Sequence, residues 1–174
     1  MLNSSDMNLR RAVPGDEYAL SLLGSATFLE AFVGFLQGAD LLAHCQHQHA
    51  THIYAEWLAS AHAHIGLAEL QAAPVGYAVL CQPDLPVPLH AGDMELKRFY
   101  VLHRLQRSGL GATLMNWAIE QSQASGAGRL LLGVNAQNEK AISFYTRHGF
   151  SSVGTRSFRV GNSLNHDLVL ARTL

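Results

Sequence analysis

The chain has 174 residues, 48% of them apolar, and a formal charge of −1. That length suits one domain, residues 1–174, able to bury roughly two thirds of its unfolded surface, and the charge balance excludes both disorder and a general nucleic-acid binder. With Cys45 and Cys81 as its only cysteines, no run of about eighteen apolar residues and no basic-then-apolar start, it reads as a reduced, cytoplasmic protein, neither secreted nor membrane-spanning.

Asn8-Leu9-Arg10-Arg11-Ala12 reads as a short strand closed by Val13-Pro14-Gly15, with Asp16 as the N-cap of a helix. Leu20, Leu23, Thr27 and Phe28 form its apolar stripe, which ends near Gly34 or Gly38. Asp40 then caps a second helical region that runs through Leu41, Leu42 and a histidine-rich turn to Ile53, Trp57 and Leu58. His44, His47, His49 and His52 cluster there, and a metal shared by His44, His47 and His52 is geometrically conceivable. No carboxylate or cysteine stands at a matching position, so a polar or substrate-facing helix side is the better reading and no metal is expected.

His64–Leu70 and Val75–Leu80 read as an antiparallel hairpin around Gln71-Ala72-Ala73-Pro74. Pro83, Pro86 and Pro88 leave Cys81 to Gly92 as a stiff surface loop without regular structure. Asp93–Leu102 is a strand whose phase slips: Met94 and Leu96 share one face, while Phe99 and Val101 fall on the other. An extra residue around Lys97-Arg98 would put all four on one face, as a β-bulge does; the alternative is a strand buried on both faces. A bulge would splay this strand from its neighbour and free backbone groups for a ligand.

Gln106-Arg107-Ser108-Gly109-Leu110-Gly111 follows, and leads into a helix starting near Arg107 with Leu110, Leu114, Trp117, Ala118 and Gln121 on one side. Two glycines let backbone approach a ligand, and a helix start offers unpaired N–H groups and a positive dipole end, so the stretch reads as an anion cradle for a phosphate. Arg104 and Arg107 add charge. A plain strand-to-helix turn is the alternative. Ser125-Gly126-Ala127-Gly128 stops the helix, and Arg129–Val134 is a buried strand expected to run parallel to Asp93–Leu102. Asn138–His148 is a short helix with Ala141, Ile142, Phe144 and Tyr145 on its apolar side, and Phe150–Val160 with Leu164–Leu170 closes the chain as a hairpin around Gly161-Asn162.

Glu95-Leu96-Lys97-Arg98-Phe99-Tyr100-Val101, then Gln106-x-x-Gly109-x-Gly111, then Asn138-x-x-Ala141-x-x-Phe144-Tyr145-x-x-x-Gly149-Phe150, resembles the GCN5-related N-acetyltransferases (GNAT). The resemblance is ordered, spans nearly the whole chain, and is strongest from Glu95 to Phe150. It implies an α+β fold: a mostly antiparallel sheet of six to seven strands, a splayed parallel pair at residues 93–102 and 129–134, and about four helices. It implies acetyl-CoA as co-substrate, with the backbone of Phe99, Tyr100 and Val101 pairing with the pantetheine arm. The cradle N–H groups from Gln106, Arg107, Ser108, Gly109, Leu110, Gly111 and Ala112 would hold the pyrophosphate, and Asn138 would bond the arm.

The implied reaction is direct attack by an amine on the thioester, with a backbone N–H near Val101 for the oxyanion and Tyr145 as acid at the sulfur. Glu95 is the expected base or, equally, a surface carboxylate paired with Lys97 or Arg98, with His103 and His64 in reserve as bases. Ser25-Ala26-Thr27-Phe28-Leu29-Glu30-Ala31-Phe32 is faintly similar to the polyamine-acetylating branch, for which Glu30, Asp40, Glu56 and Glu69 would have to build an acidic pocket. Partners implied are acetyl-CoA and an amine acceptor, without nucleic acid or membrane, and with a homodimer as the family's habit. A non-catalytic acyl-CoA sensor and a histidine-rich metal-binding protein are the alternative functions.

Overall fold

The computed structural model describes residues 7–161 and 163–174. Seven strands form one sheet: β1 (Met7–Arg11), β2 (His64–Leu70), β3 (Ala73–Cys81), β4 (Asp93–Val101), β5 (Arg129–Asn135), β6 (Ser151–Val160) and β7 (Ser163–Thr173). They lie in the order β1-β2-β3-β4-β5-β7-β6. All neighbours are antiparallel except β4 and β5, which run parallel as expected. The described residues hold five α-helices rather than about four: α1 (Glu17–Phe32), α2 (Gly38–Gln48), α3 (Thr51–Ala59), α4 (Leu110–Ala124) and α5 (Glu139–Arg147). Among the described residues no helix is long and apolar enough to cross a membrane.

Strand alternation sends side chains to two cores. On one face Ala78, Leu80, Leu96, Leu130, Leu132 and Leu170 meet Leu114, Met115 and Ala118 of α4 and Tyr145 of α5. On the other, Ile65, Leu67, Tyr77 and Val79 meet Leu20 and Leu23 of α1 and Tyr54 of α3. The proline loop is irregular, as expected, yet it is not merely superficial. Leu85 is buried from it against Leu131, Val169 and Ala171, covering the second face of β5 and β7.

The phase slip in β4 is a bulge. Val79 pairs with Arg98 and Leu80 with Leu96, so Lys97 is the extra residue. Met94, Leu96, Phe99 and Val101 accordingly all reach the same core. Four other expectations change in detail. Asp16 occupies the N-cap position of α1, but its carboxylate bonds Arg10 and the Val13 amide rather than the helix. The second helical region is split at His49-Ala50 into α2 and α3. Pro74 lies inside β3, opposite Glu69 where β2 is irregular, and the turn is only Gln71-Ala72, both left-handed with φ of 50° and 64°. The helix α4 starts at Leu110, because Arg107 and Gly109 have φ of 66° and 91°, which no α-helix admits. At the closing hairpin Gly161 has φ of 56°, and Asn162 lies outside the described residues.

Trp117 of α4 packs its ring directly over Gly66 of β2. A Cβ there would stand 2.6 Å from the Trp117 ring. Gly66→Ala is therefore expected to destabilise the fold by about 1–3 kcal/mol through overpacking, read as a lower urea midpoint at unchanged slope.

Candidate active site

β4 and β5 pair only from Asp93–Glu95 to Arg129–Leu131. The Arg129 guanidinium grips the Asp93 carboxylate at 2.6 and 2.9 Å across the first of those pairs, and holds that carboxyl below its usual range. Beyond the bulge β4 continues with β3, and β5 continues with β7, so the two strands part. Leu102 donates to Val75 across the β3–β4 ladder at 3.0 Å. By antiparallel alternation Arg98 and Tyr100 turn their backbone groups the same way, which leaves Phe99 and Val101 facing the gap. Those are edge groups inside a sheet, open to an extended ligand.

At the wide end of the gap the chain turns into α4. Leu105 and Leu110 are buried against Ala68 and Val75, and the four residues between them arch outward, exposed. Among the described residues the N–H groups of Arg107, Gly109, Gly111 and Ala112 have no backbone partner, the first helical bond being Thr113 to Gly109 at 3.1 Å. Ser108 Oγ is drawn back onto the Leu105 carbonyl at 2.7 Å. No acidic side chain sits in the first turn of α4, and an added Cβ at Gly109 would meet nothing. Four free amides, two left-handed residues and a positive helix end are chemically able to receive an anion.

α5 closes the gap from the first core's side. Asn138 caps it, its Oδ1 accepting from Ala141 N at 3.1 Å, so only the side-chain NH₂ is left to donate to a ligand. Phe144 lies 3.7 Å from where a Gly111 Cβ would be and packs on Phe99. Tyr145 is boxed edge-on by Phe99, Phe144 and Phe150 and is 8% exposed. Its hydroxyl has no hydrogen-bond partner among the described residues; burial raises its pKa, with the Tyr100 phenol adding to the rise.

The opposite side of the gap carries Tyr100 and, two residues before it on β4, Arg98. Sequence patterns did not mark this group. Arg98 stacks over the Tyr54 and Trp57 rings, with 5.1 and 4.8 Å to their centroids. Its Nη1 donates to Tyr54 Oη at 2.6 Å and to His49 Nδ1 at 3.0 Å, and its Nη2 donates to the Gln48 carbonyl. Ser21 takes the next carbonyl, that of His49, at 2.6 Å. These two captures explain the break between α2 and α3, whose last carbonyls bond side chains instead of a continuing helix. Tyr54 Oη also meets Tyr77 Oη at 3.0 Å.

The expected base and acceptor groups are scattered. Glu95 is 2% exposed at the closed end of the gap, with Oε2 accepting from Asp84 N at 2.8 Å and Oε1 3.4 Å from Lys97. His64 Nε2 faces Ser125 at the C-terminal end of α4, away from the cradle, and His103 is exposed. Glu69 is held by Arg10, Glu30 accepts from His103 N, Glu56 is exposed on α3, and Asp40 lies against Gly161, so these four do not form one acidic pocket. Among the described residues no three His, Cys, Asp or Glu converge on a metal position. His44 instead stacks on Phe28, and His49 is buried.

The description "Acetyltransferase (GNAT) family" fits residues 30–150 of the chain. An uncharacterised N-acetyltransferase of Mycobacterium tuberculosis strain H37Rv is 36% identical over 121 residues, 70% of this chain and 74% of the relative. Among solved structures, the PaiA N-acetyltransferase of Thermoplasma acidophilum in complex with coenzyme A superposes with a TM-score of 0.80, 16% identity and coverage of 97% of this chain and 99% of that one. The ribosomal-protein-S18-alanine N-acetyltransferase of Escherichia coli does so with a TM-score of 0.71 and 16% identity, covering 96% of this chain and 93% of that one. At such identities the two structures show the fold.

Burial and the Arg98 charge push the imidazoles down, to about 2 for His49 and about 4 for His44. In the unfolded chain both take protons near 6.5, so stability is full above that pH and is lost as pH falls toward the folded values. The slope is about 1.4 kcal/mol per pH unit for each histidine. Urea unfolding between pH 7 and pH 4.5 is expected to show that loss, and His49→Asn, which keeps an acceptor near the Nδ1 position, to remove about half of the slope.

Proposed function

The chain belongs to the GNAT acetyltransferase family, and from that premise we propose that it transfers the acetyl group of acetyl-CoA to a primary amine by direct attack. The observation that carries the reading is the parting of β4 from β5 with the free amides of α4 at its mouth. An extended pantetheine arm can pair with the Phe99 and Val101 backbone in the gap, and its pyrophosphate can rest on the N–H groups of Arg107, Gly109, Gly111 and Ala112. The N–H groups of Gln106 and Ser108 are already given to the His103 and Leu105 carbonyls at 3.1 and 3.4 Å, and that of Leu110 to Ser108 Oγ at 3.4 Å, so these three shape the cradle without donating, contrary to expectation; Asn138 donates its NH₂ to the arm. The fit is chemical as well as steric, because that helix start has four unpaired donors and no acidic side chain to repel a pyrophosphate.

The amine nitrogen attacks the carbonyl carbon of the thioester; the new C–N bond forms, the C–S bond breaks, and the amine loses one proton as the thiolate leaves. A Val101 N–H facing the gap supplies the oxyanion with a fixed donor, of a kind worth roughly 100- to 1,000-fold. Tyr145 stands where the sulfur departs. Because burial holds its phenol above the ordinary value, and a thiol ionises near 8.5, full proton transfer to the thiolate runs uphill. Tyr145 therefore acts as a hydrogen-bond donor that steadies the sulfur's charge. Glu95 takes part only through water, since both its oxygens are engaged and its carboxylate is buried.

Thiol release from acetyl-CoA with a panel of primary amines tests the reading, and a chain that binds acetyl-CoA but releases no thiol above the amine-free rate is a sensor instead. Tyr145→Phe is expected to lower kcat by about 100-fold while leaving the KM for acetyl-CoA little changed. Full turnover of that variant across pH would make the tyrosine a packing residue.

A further inference from the structure

In the reaction proposed above the amine meets the thioester from the side of the gap opposite α5, where Arg98 and Tyr100, two residues apart on β4 past the bulge, share a face. Arg98 is partly exposed there, and its bond to Tyr54 Oη at 2.6 Å continues through Tyr77 Oη at 3.0 Å to Tyr100, whose ring stacks on Tyr77 with centroids 5.8 Å apart. Arg98 thus belongs to the wall that an acceptor meets.

Arginine carries five N–H donors and no acceptor. Three are committed, to Tyr54, His49 and Gln48. The Nε–H and one N–H on Nη2 have no partner among the described residues. Arg98 also makes no ion pair there, whereas the two buried carboxylates of that side of the sheet are both taken. Glu95 is paired with Lys97 at 3.4 Å, and Asp167 with Arg156 at 2.6 Å. The rings of Tyr54 and Trp57 and the carboxyl end of α2 steady the cation with dipoles, but none brings a countercharge. His44 and His49 beside it are held neutral. A fixed guanidinium with two donors left and no anion of its own is a carboxylate receptor.

We propose that the acceptor is an amine that also bears a carboxylate, which Arg98 receives through its two uncommitted N–H groups. The inference rests on the acetyltransferase reading above and names its substrate class. The same charge disfavours a second ammonium on the acceptor, so a polyamine is a poor substrate. By pairing with the acceptor's carboxylate it also cancels the anion that would otherwise hold the ammonium's pKa up, and so lessens the demand on a base that the structure buries at Glu95.

The test is kcat/KM by thiol release for matched amines with and without the carboxylate, such as 4-aminobutanoate against butylamine and leucine against 3-methylbutylamine, with spermidine alongside. The wild-type chain is expected to favour the carboxylated member of each pair by about 10- to 100-fold, as a charge-assisted pair would give. Arg98→Gln is expected to erase the preference, and Arg98→Lys, which keeps the charge without the fork, to keep part of it. Acetyl-CoA affinity by calorimetry reports whether each variant retains its donor site. A wild-type preference for the carboxylate-free amine or for spermidine overturns the proposal, even if Arg98→Gln does not fold. So does an equal loss on both members in Arg98→Gln, which would make the residue a clamp between helices and strand. Acetyl-CoA binding with no turnover of any amine would instead sink the acetyltransferase reading beneath it, and this inference with it.

Discussion

One extra residue in one strand sets the rest. Lys97 has no partner on β3, and past it β4 no longer meets β5. A sheet interior is ordinarily the place where backbone donors and acceptors are all used, and leaving them unused costs on the order of 1–3 kcal/mol per buried group. The chain keeps such a gap because both strands retain their outer neighbours, β3 and β7, and because the Asp93–Arg129 pair pins the closed end. The opening is therefore rigid. A ligand that enters finds hydrogen-bonding groups already aimed, so that little ordering entropy remains to oppose binding.

The two sides of that gap are made differently. On the α4 and α5 side the chemistry is mostly backbone: free amides, a left-handed arch, and small residues where the chain must approach a ligand. On the α1 to α3 side it is side chains: one arginine, two neutral imidazoles and a pair of joined phenols. A backbone site is specified by a few glycines and a turn, and tolerates wide variation around it. A side-chain site is specified by identities that lie far apart in the chain.

This division decides what the sequence makes legible. The cradle is visible because Gly109 and Gly111 sit in a local pattern, and the bulge because a strand's period of two exposes a slip of one between Leu96 and Phe99. The sheet and its parallel pair follow from them. The helical break at His49-Ala50 is not visible, since it depends on Arg98 and Ser21 reaching the last carbonyls of α2 from distant elements. For the same reason the histidines look like metal ligands or a polar side in one dimension, while in three His44 lies on Phe28 and His49 serves Arg98. For Glu95 the Lys97 pairing is legible in the sequence, but its burial and the Asp84 amide that the proline loop brings onto it are not.

A proton inventory of the gap links these pieces. The phenols of Tyr145 and Tyr100 are pushed upward by burial, the latter to about 12, and the imidazoles downward, so near neutral pH each of these groups is uncharged. A site built from neutral phenols and imidazoles holds no strong base beside the thioester. In the reaction proposed above the nucleophile must then arrive with its proton already loosened, and pairing its carboxylate with a fixed positive charge favours that without any residue changing state. Arg98 is the one group on that wall whose charge is independent of pH, and its position after the bulge ties it to the same irregularity that opens the sheet. On the reading proposed above, the backbone defect that admits acetyl-CoA thus also places the charge that the amine acceptor meets.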